Sequence, residues 1–281
     1  SKKRMREIAV YVGSMLLVPV ILMMVKNTDY TDMLMYIIGP VALVYFLWEA
    51  FKLKTKKERN QLIAAFVFIF FSIVFWAFFE QSGGSLSLFA EKNLTSNVAG
   101  IPMDPNMVNN SSNSLFVIIF SVLVGLVWLW LSKRNKEPNT VVKFGIAFLF
   151  LSAGFYIFYY TRFFADANGI TSLNVFTLAW FVITFGELCL SPIGMSIVTK
   201  LSPKHLSGMM MGLWFLASAY GQYFAGLLGA GMSTPDNNAS LVEKLKSYTD
   251  GYYQLAVYAL IAGVILIVIS PMIRKMMYEV K

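Results

Sequence analysis

The sequence predicts an all-α, polytopic transmembrane bundle of eight spans, and three observations lead there. Of its residues 57% are hydrophobic and only 14% charged, with a mean hydropathy of +0.63. The apolar residues fall in blocks, most of them long enough to cross the ~30 Å hydrocarbon core of a bilayer as helices. The basic residues gather in every second connection, as they do on the cytoplasmic side of membrane proteins. A soluble globular domain is excluded by this composition. The net charge of +8 would suit a nucleic acid, but its placement assigns it to one membrane surface, and no nucleic-acid partner is expected.

Each element follows from the pattern in turn. Four Lys and Arg lie within residues 1–7 and precede an apolar run, 8–25, that rises roughly 27 Å as a helix. This run is too long for a signal-peptide core and no small-residue cleavage site follows it, so it is read as a retained span bent at Pro19. A short polar turn leads to the second span, 32–51, with Gly39-Pro40 inside it; the two spans make a hairpin, residues 1–54. The run K-L-K-T-K-K-E-R-N at 52–60 is a solvated inner loop. The third span, 61–90, carries E-Q-S-G-G-S at 80–85, polarity at a depth where it requires a purpose. A polar outer loop, 91–114, precedes the fourth span, 115–131. Spans follow at 141–160, 171–199 and 206–230, then an outer loop at 231–250 and a last span at 251–272. Residues 55–281 therefore form a six-helix bundle. Brief connections predict that sequential helices pack as antiparallel neighbours. Gly208, Gly212, Ala217, Gly221 and Ala225 suit close helix contact along the seventh span.

With both termini inside, 18 of the 23 basic residues fall in inner segments and five, Lys26, Lys92, Arg162, Lys244 and Lys246, in outer ones. That asymmetry places both termini in the cytoplasm. The single Cys189 allows no internal disulfide. One loop histidine, His205, one cysteine in an apolar run and no paired aspartates supply no nucleophile and base, so no enzyme activity, cofactor or metal site is expected.

Two carboxylates lie deep in the spans. Glu187 sits in T-F-G-E-L-C-L-S-P-I-G-M-S (184–196), where a charge costs at least ~2.5 kcal/mol and signals function by default. Ser191 lies one turn later on the same face, and Pro192 removes a backbone donor there. Glu80 has Trp76 one turn before it, while Gly83-Gly84 permits a bend after it. Asn113, at the mouth of the fourth span, either presents its amide or caps the helix. Trp214 stands deeper than the interfacial aromatic belt. Acids, an amide and indoles suit a ligand with an ammonium group and hydrogen-bonding amides, as a short peptide has. The same residues admit plainer readings. Glu187 pairs with a basic residue of another helix, Trp214 packs, or Glu80 binds an Arg outside these spans and holds a gate shut.

Four stretches carry a family resemblance: F-W-A-F-F-E-Q-S-G-G-S-L-S-L-F-A (75–90), N-S-L-F (113–116), G-E-L-C-L-S-P-I-G-M-S (186–196) and G-L-W-F-L-A (212–217). In this order they closely resemble the second half of the proton-dependent oligopeptide transporters. The resemblance implies half of a major-facilitator fold, in which two six-helix bundles enclose a di- and tripeptide site and work by alternating access. Residues 55–281 would be the C-terminal bundle, and 1–54 the helical pair that bacterial members insert between bundles. The missing N-terminal six-helix bundle, protons, peptide and the lipid of a bacterial inner membrane are then the implied partners. The resemblance gives Trp76 and Glu80 the positions of the family's seventh-helix indole and proton-linked acid. It makes Asn113 the contact for the peptide backbone, Glu187 the contact for its amino terminus, Ser191 the neighbouring hydroxyl and Trp214 a pocket indole. The family's E-x-x-E-R motif belongs to the first bundle and no span here carries it, and N-S-L-F replaces the commoner N-P-L-F. A same-fold carrier of nitrate or a peptide-like drug, and a non-transporting helical scaffold, are the alternatives.

Overall fold

Side-chain caps fix where the chain enters its helices. In the computed structural model, which describes residues 2–233 and 239–280, Asn27 accepts from the Asp29 amide, Thr55 from Glu58, Asp104 from Met107 and Asn139 from Val142. Ser240 and Glu243 form a reciprocal capping box, so each start satisfies amides that lack an intrahelical partner. The helices are α1 (Lys2–Lys26), α2 (Thr28–Lys52), α3 (Lys56–Phe79), α4 (Ser85–Asn93), α5 (Pro105–Lys133), α6 (Thr140–Tyr160), α7 (Leu173–Leu201), α8 (Ser207–Met232) and α9 (Leu241–Met277). A two-stranded hairpin, β1 (Asn97–Val98) with β2 (Ile101–Pro102), fills part of the loop before α5. Residues 234–238 of the predicted outer loop lie outside the described residues, as do both terminal residues.

The chain divides into two units, Ser1–Lys54 and Thr55–Lys281. In the first, α1 and α2 form a hairpin whose turn is held by Thr31 Oγ1 donating to the Met24 carbonyl at 3.1 Å.

In the second unit the expected packing of sequential helices holds for α6 and α7 but not for the other neighbours. The most extensive contact is α6 on α9, followed by α6 on α7, α3 on α8 and α5 on α7, whereas the α7–α8 and α8–α9 contacts are slight. Close backbone approach selects these partners. A Cβ on Gly145 of α6 would lie 3.1 Å from the Gly263 carbonyl of α9, and one on Gly263 would lie 3.0 Å from the Gly145 carbonyl. Ser152 Oγ donates across the same seam to the Ala256 carbonyl at 2.7 Å. Between α6 and α7, a Cβ on Gly186 would lie 2.7 Å from the Ala147 carbonyl. Aromatic rings fill the remaining space, with Phe68 against Phe144 (4.9 Å), Phe75 against Phe148 (5.6 Å) and Phe158 against Phe176 (4.9 Å). In lipid such packing replaces the hydrophobic drive that would sort helices in water.

Other boundaries also shift. The predicted span 61–90 is broken by a 3-10 turn, Glu80–Gly83, between α3 and α4. α5 starts at Pro105, well before the predicted span, because the Asn- and Ser-rich stretch is helical: Asn110 Nδ2 and Ser112 Oγ bond back to the carbonyls of Asn106 and Val108. α7 runs unbroken through Pro192, and α9 begins at Leu241, ahead of the predicted span. Among the described residues seven helical segments are long and apolar enough to cross a membrane. α8, the seventh of the eight predicted spans, has the length but not the apolarity, since Ser207, Gly208, Ser218, Tyr220, Gly221, Gln222 and Tyr223 dilute it. At the ends, Arg162 pairs with Asp250 at 2.6 Å and Lys143 with Glu137 at 2.5 Å. The Lys143 ammonium and then the Ser132 hydroxyl hold the Glu137 carboxyl below its usual range.

Gly186→Val should lower the stability of the purified protein by about 1–3 kcal/mol, because α6 and α7 must part to admit the side chain. Thermal unfolding in detergent measures this, and an unchanged midpoint would show slack at the α6–α7 seam.

Candidate functional site

One face of α7 carries Thr184, Glu187 and Ser191 at intervals of about one turn. Thr184 is buried, and its Oγ1 donates to the Trp180 carbonyl at 2.8 Å, so the oxygen can only accept from elsewhere. It accepts from Asn113 Nδ2 on α5 at 3.3 Å. The same Nδ2 donates to Glu187 Oε2 at 2.8 Å. Both hydrogens of the Asn113 amide are thus spent on α7, which leaves its Oδ1 as a free acceptor. Asn113 lies two turns inside α5, whose cap is Asp104, so it is neither at the mouth of the helix nor its cap. Ser191 is exposed and makes no side-chain hydrogen bond among the described residues. Glu187 takes part in none of the ion pairs among the described residues, so its partner here is an amide and not a base.

The second acid lies where α3 ends. Glu80 caps α3 through its backbone N–H to the Trp76 carbonyl and opens the 3-10 turn, with Gln222 of α8 beside its carboxylate. The next residue anchors the break. Gln81 is fully buried, with Nε2 donating to the carbonyls of Ala77 at 3.2 Å and Ala225 at 3.1 Å while Oε1 accepts from Ser85 Oγ at 2.7 Å. One residue further, the Ser82 carbonyl accepts from Asn109 Nδ2 of α5 at 2.9 Å. Gly84, with φ −125° and ψ −110°, lets α4 set off in a new direction. Trp76 lies against α8, where a Cβ on Gly221 would come within 2.4 Å of the Trp76 Cβ, and its Nε1 is buried without a partner.

Trp214 takes a different place. It is 6% exposed, and its ring covers Gly194 so closely that a Cβ there would meet Cη2 at 2.0 Å. Gly194 is two turns beyond Glu187 on α7, so the indole covers the α7–α8 contact on the C-terminal side of the acid along α7. His205 is exposed in a 3-10 turn, and no group of three or more His, Cys, Asp or Glu able to hold a metal occurs among the described residues.

This arrangement, two acids on α3 and α7 with amides from α5 and α8, can be compared with known proteins. The POT family model matches residues 13–248. The chain belongs to the POT family. It is 28% identical over 272 residues to dipeptide and tripeptide permease B of Xenorhabdus bovienii, covering 97% of this chain and 55% of that protein. It is 30% identical over 249 residues to a peptide transporter of Yersinia enterocolitica, covering 88% of this chain and 47% of that one. A crystal structure of the peptide transporter POT in complex with sulfate aligns with a TM-score of 0.77 at 28% identity, over 98% of this chain and 54% of that chain. The chain spans about half the length of the curated relatives it matches.

In this POT-family chain the structure brings Asn113 and Glu187 together and sets Trp76 and Glu80 on one helix end. Three residues that brace this arrangement from outside the binding groups, Thr184, Asn109 and Gln222, were not singled out from the sequence, and Gln81 was read only as part of the polar stretch 80–85. Thr184 and Asn109 were within reach, since they lie one turn from Glu187 and Asn113 on the same helix faces. The reach of Gln81 to the Ala225 carbonyl and the approach of Gln222 to the Glu80 turn were not, because they join α8 to a distant part of the chain.

Proposed function

We propose that this chain is the C-terminal half of a proton-coupled di- and tripeptide symporter that works by alternating access. The observation that carries the reading is the Asn113–Glu187 hydrogen bond across α5 and α7, a desolvated carboxylate matched to an amide instead of a cation. Membership of the POT family supports it, as do relatives named as dipeptide and tripeptide permeases. A peptide's ammonium would take the Glu187 oxygen that Asn113 leaves free, and a backbone N–H would take Asn113 Oδ1. Ser191 offers an exposed hydroxyl beside them, and Trp76 an indole N–H without a partner. Trp214, held on Gly194, shapes the inner wall. Glu80 is the proton-linked gate, exchanging its Gln222 partner for a cation of the N-terminal bundle. On this reading Ser1–Lys54 is the inserted hairpin, Thr55–Lys281 is the C-terminal bundle, and both termini are cytoplasmic in a bacterial inner membrane.

Uptake of a labelled dipeptide by the full-length protein tests the reading directly, and uptake inhibited by nitrate but indifferent to unlabelled dipeptide would replace it with another cargo. Glu187→Gln and N-acetylation of the peptide should each cost more than about 2 kcal/mol of binding, and the two losses should not add, because they remove two ends of one charge pair. Additive losses in a binding assay would move Glu187 out of ammonium recognition.

Glu80→Gln should mimic the protonated acid. Gradient-driven accumulation is lost in that variant, while peptide binding and passive exchange survive better than in Glu187→Gln. Accumulation at the wild-type rate with an unchanged pH profile would leave Glu80 as a static structural group.

Orientation is read by cysteine labelling in a Cys189→Ala background. A cysteine placed at Asn106 should react from outside intact cells, and cysteines at Lys56, Arg134 and Lys204 should not; outside labelling at Lys56 would overturn the topology.

A further inference from the structure

We infer that Asn109 is a positioning residue that ties the peptide-binding pair to the turn carrying Glu80. This rests on the symport reading above. Asn109 and Asn113 stand one turn apart on α5, and their amides reach two different helices. Asn113 Nδ2 binds Glu187 at 2.8 Å and Thr184 at 3.3 Å on α7, whereas Asn109 Nδ2 binds the Ser82 carbonyl at 2.9 Å in the 3-10 turn that begins at Glu80.

The chemistry of Asn109 is that of a group kept for one bond. It is 1% exposed, and its Oδ1 is buried with no partner. An unsatisfied amide oxygen is a standing cost that an apolar side chain of the same size would avoid. What Asn109 supplies in return is the only side-chain hydrogen bond from α5 to the Glu80 turn among the described residues. The far side of that turn is held by α8, through Gln81 Nε2 to the Ala225 carbonyl at 3.1 Å. The turn is therefore suspended between α5 and α8.

A route from substrate to gate follows. A peptide that engages Glu187 and Asn113 alters the one contact through which α5 senses the Glu187 carboxylate. Residues 109–113 are one turn of regular helix, so a displacement at Asn113 arrives at Asn109 and pulls on the Ser82 carbonyl. The peptide units between Ser82 and Glu80 carry it to the carboxylate, with Gly83-Gly84 yielding on the other side. Neither a change of charge nor a second ligand is required.

The test uses the full-length transporter in proteoliposomes, with three readouts: dipeptide affinity, peptide exchange without a gradient, and gradient-driven accumulation. Asn109→Leu fills the site but cannot donate, and Asn109→Gln keeps the amide. Asn109→Leu should hold affinity and exchange within about twofold of wild type and lose accumulation roughly tenfold, a size typical of coupling between sites, and Asn109→Gln should recover most of the loss. If the leucine variant does not assemble, Asn109→Ala is read the same way. Wild-type accumulation in Asn109→Leu would overturn the inference, as would equal losses of exchange and accumulation, the mark of a merely structural role. Absence of dipeptide exchange in the wild-type protein would remove the symport reading itself, an outcome distinct from both.

Discussion

A carboxylate in the middle of an apolar helix sets the terms for everything around it. Glu187 has no cation among the described residues, and the desolvation it suffers is met by one charge-assisted hydrogen bond from Asn113, of the kind worth about 1.5–3 kcal/mol. That bond requires α5 to lie against α7 and not against its neighbour in sequence, α6. It also requires the polar start of α5 to be helical, so that Asn113 arrives two turns inside the helix with its amide turned to α7. Thr184 completes the arrangement by taking the second amide hydrogen. An acid satisfied by an amide keeps an oxygen in reserve, which an acid locked to an arginine would not.

Glycine makes the geometry possible at a second level. Gly186 lies one residue before Glu187, and its missing side chain is what lets α6 approach α7 at that height. Gly194 does the same for Trp214, and Gly221 for Trp76. Glu187, Trp214 and Trp76 therefore each sit beside a point of closest helix approach, so packing and function share positions along α7 and α8. A substitution that adds a Cβ at any of them moves a helix carrying a site residue.

The break between α3 and α4 shows how a polar segment is made tolerable at depth. Ending α3 at Phe79 frees backbone groups that must find partners away from water. Gln81 takes the Ala77 carbonyl and Asn109 the Ser82 carbonyl, while Gln81, itself held by Ser85 Oγ, also reaches the Ala225 carbonyl of α8. Glu80 remains as the acid of this turn, with the neutral amide of Gln222 beside it. A neutral partner can serve a protonated or an ionised acid, since an amide both donates and accepts.

Much of this was legible in one dimension. Apolar blocks and the one-sided distribution of Lys and Arg determined the class and the order of the spans, because bilayer thickness and helix rise fix how long such a block must be. Cost alone marked Glu80 and Glu187, and the helical repeat placed Ser191 and Trp76 beside them. That same repeat would have offered Thr184 and Asn109. The pairing of α5 with α7, α3 with α8 and α6 with α9 was decided only by the tertiary structure, and with it the partners of Glu187, Gln81 and Glu80. Periodicity reports neighbours on one helix and is silent about the next. In lipid no gain from apolar burial ranks the possible partners, so the choice falls to where two backbones can come closest and which polar groups then meet.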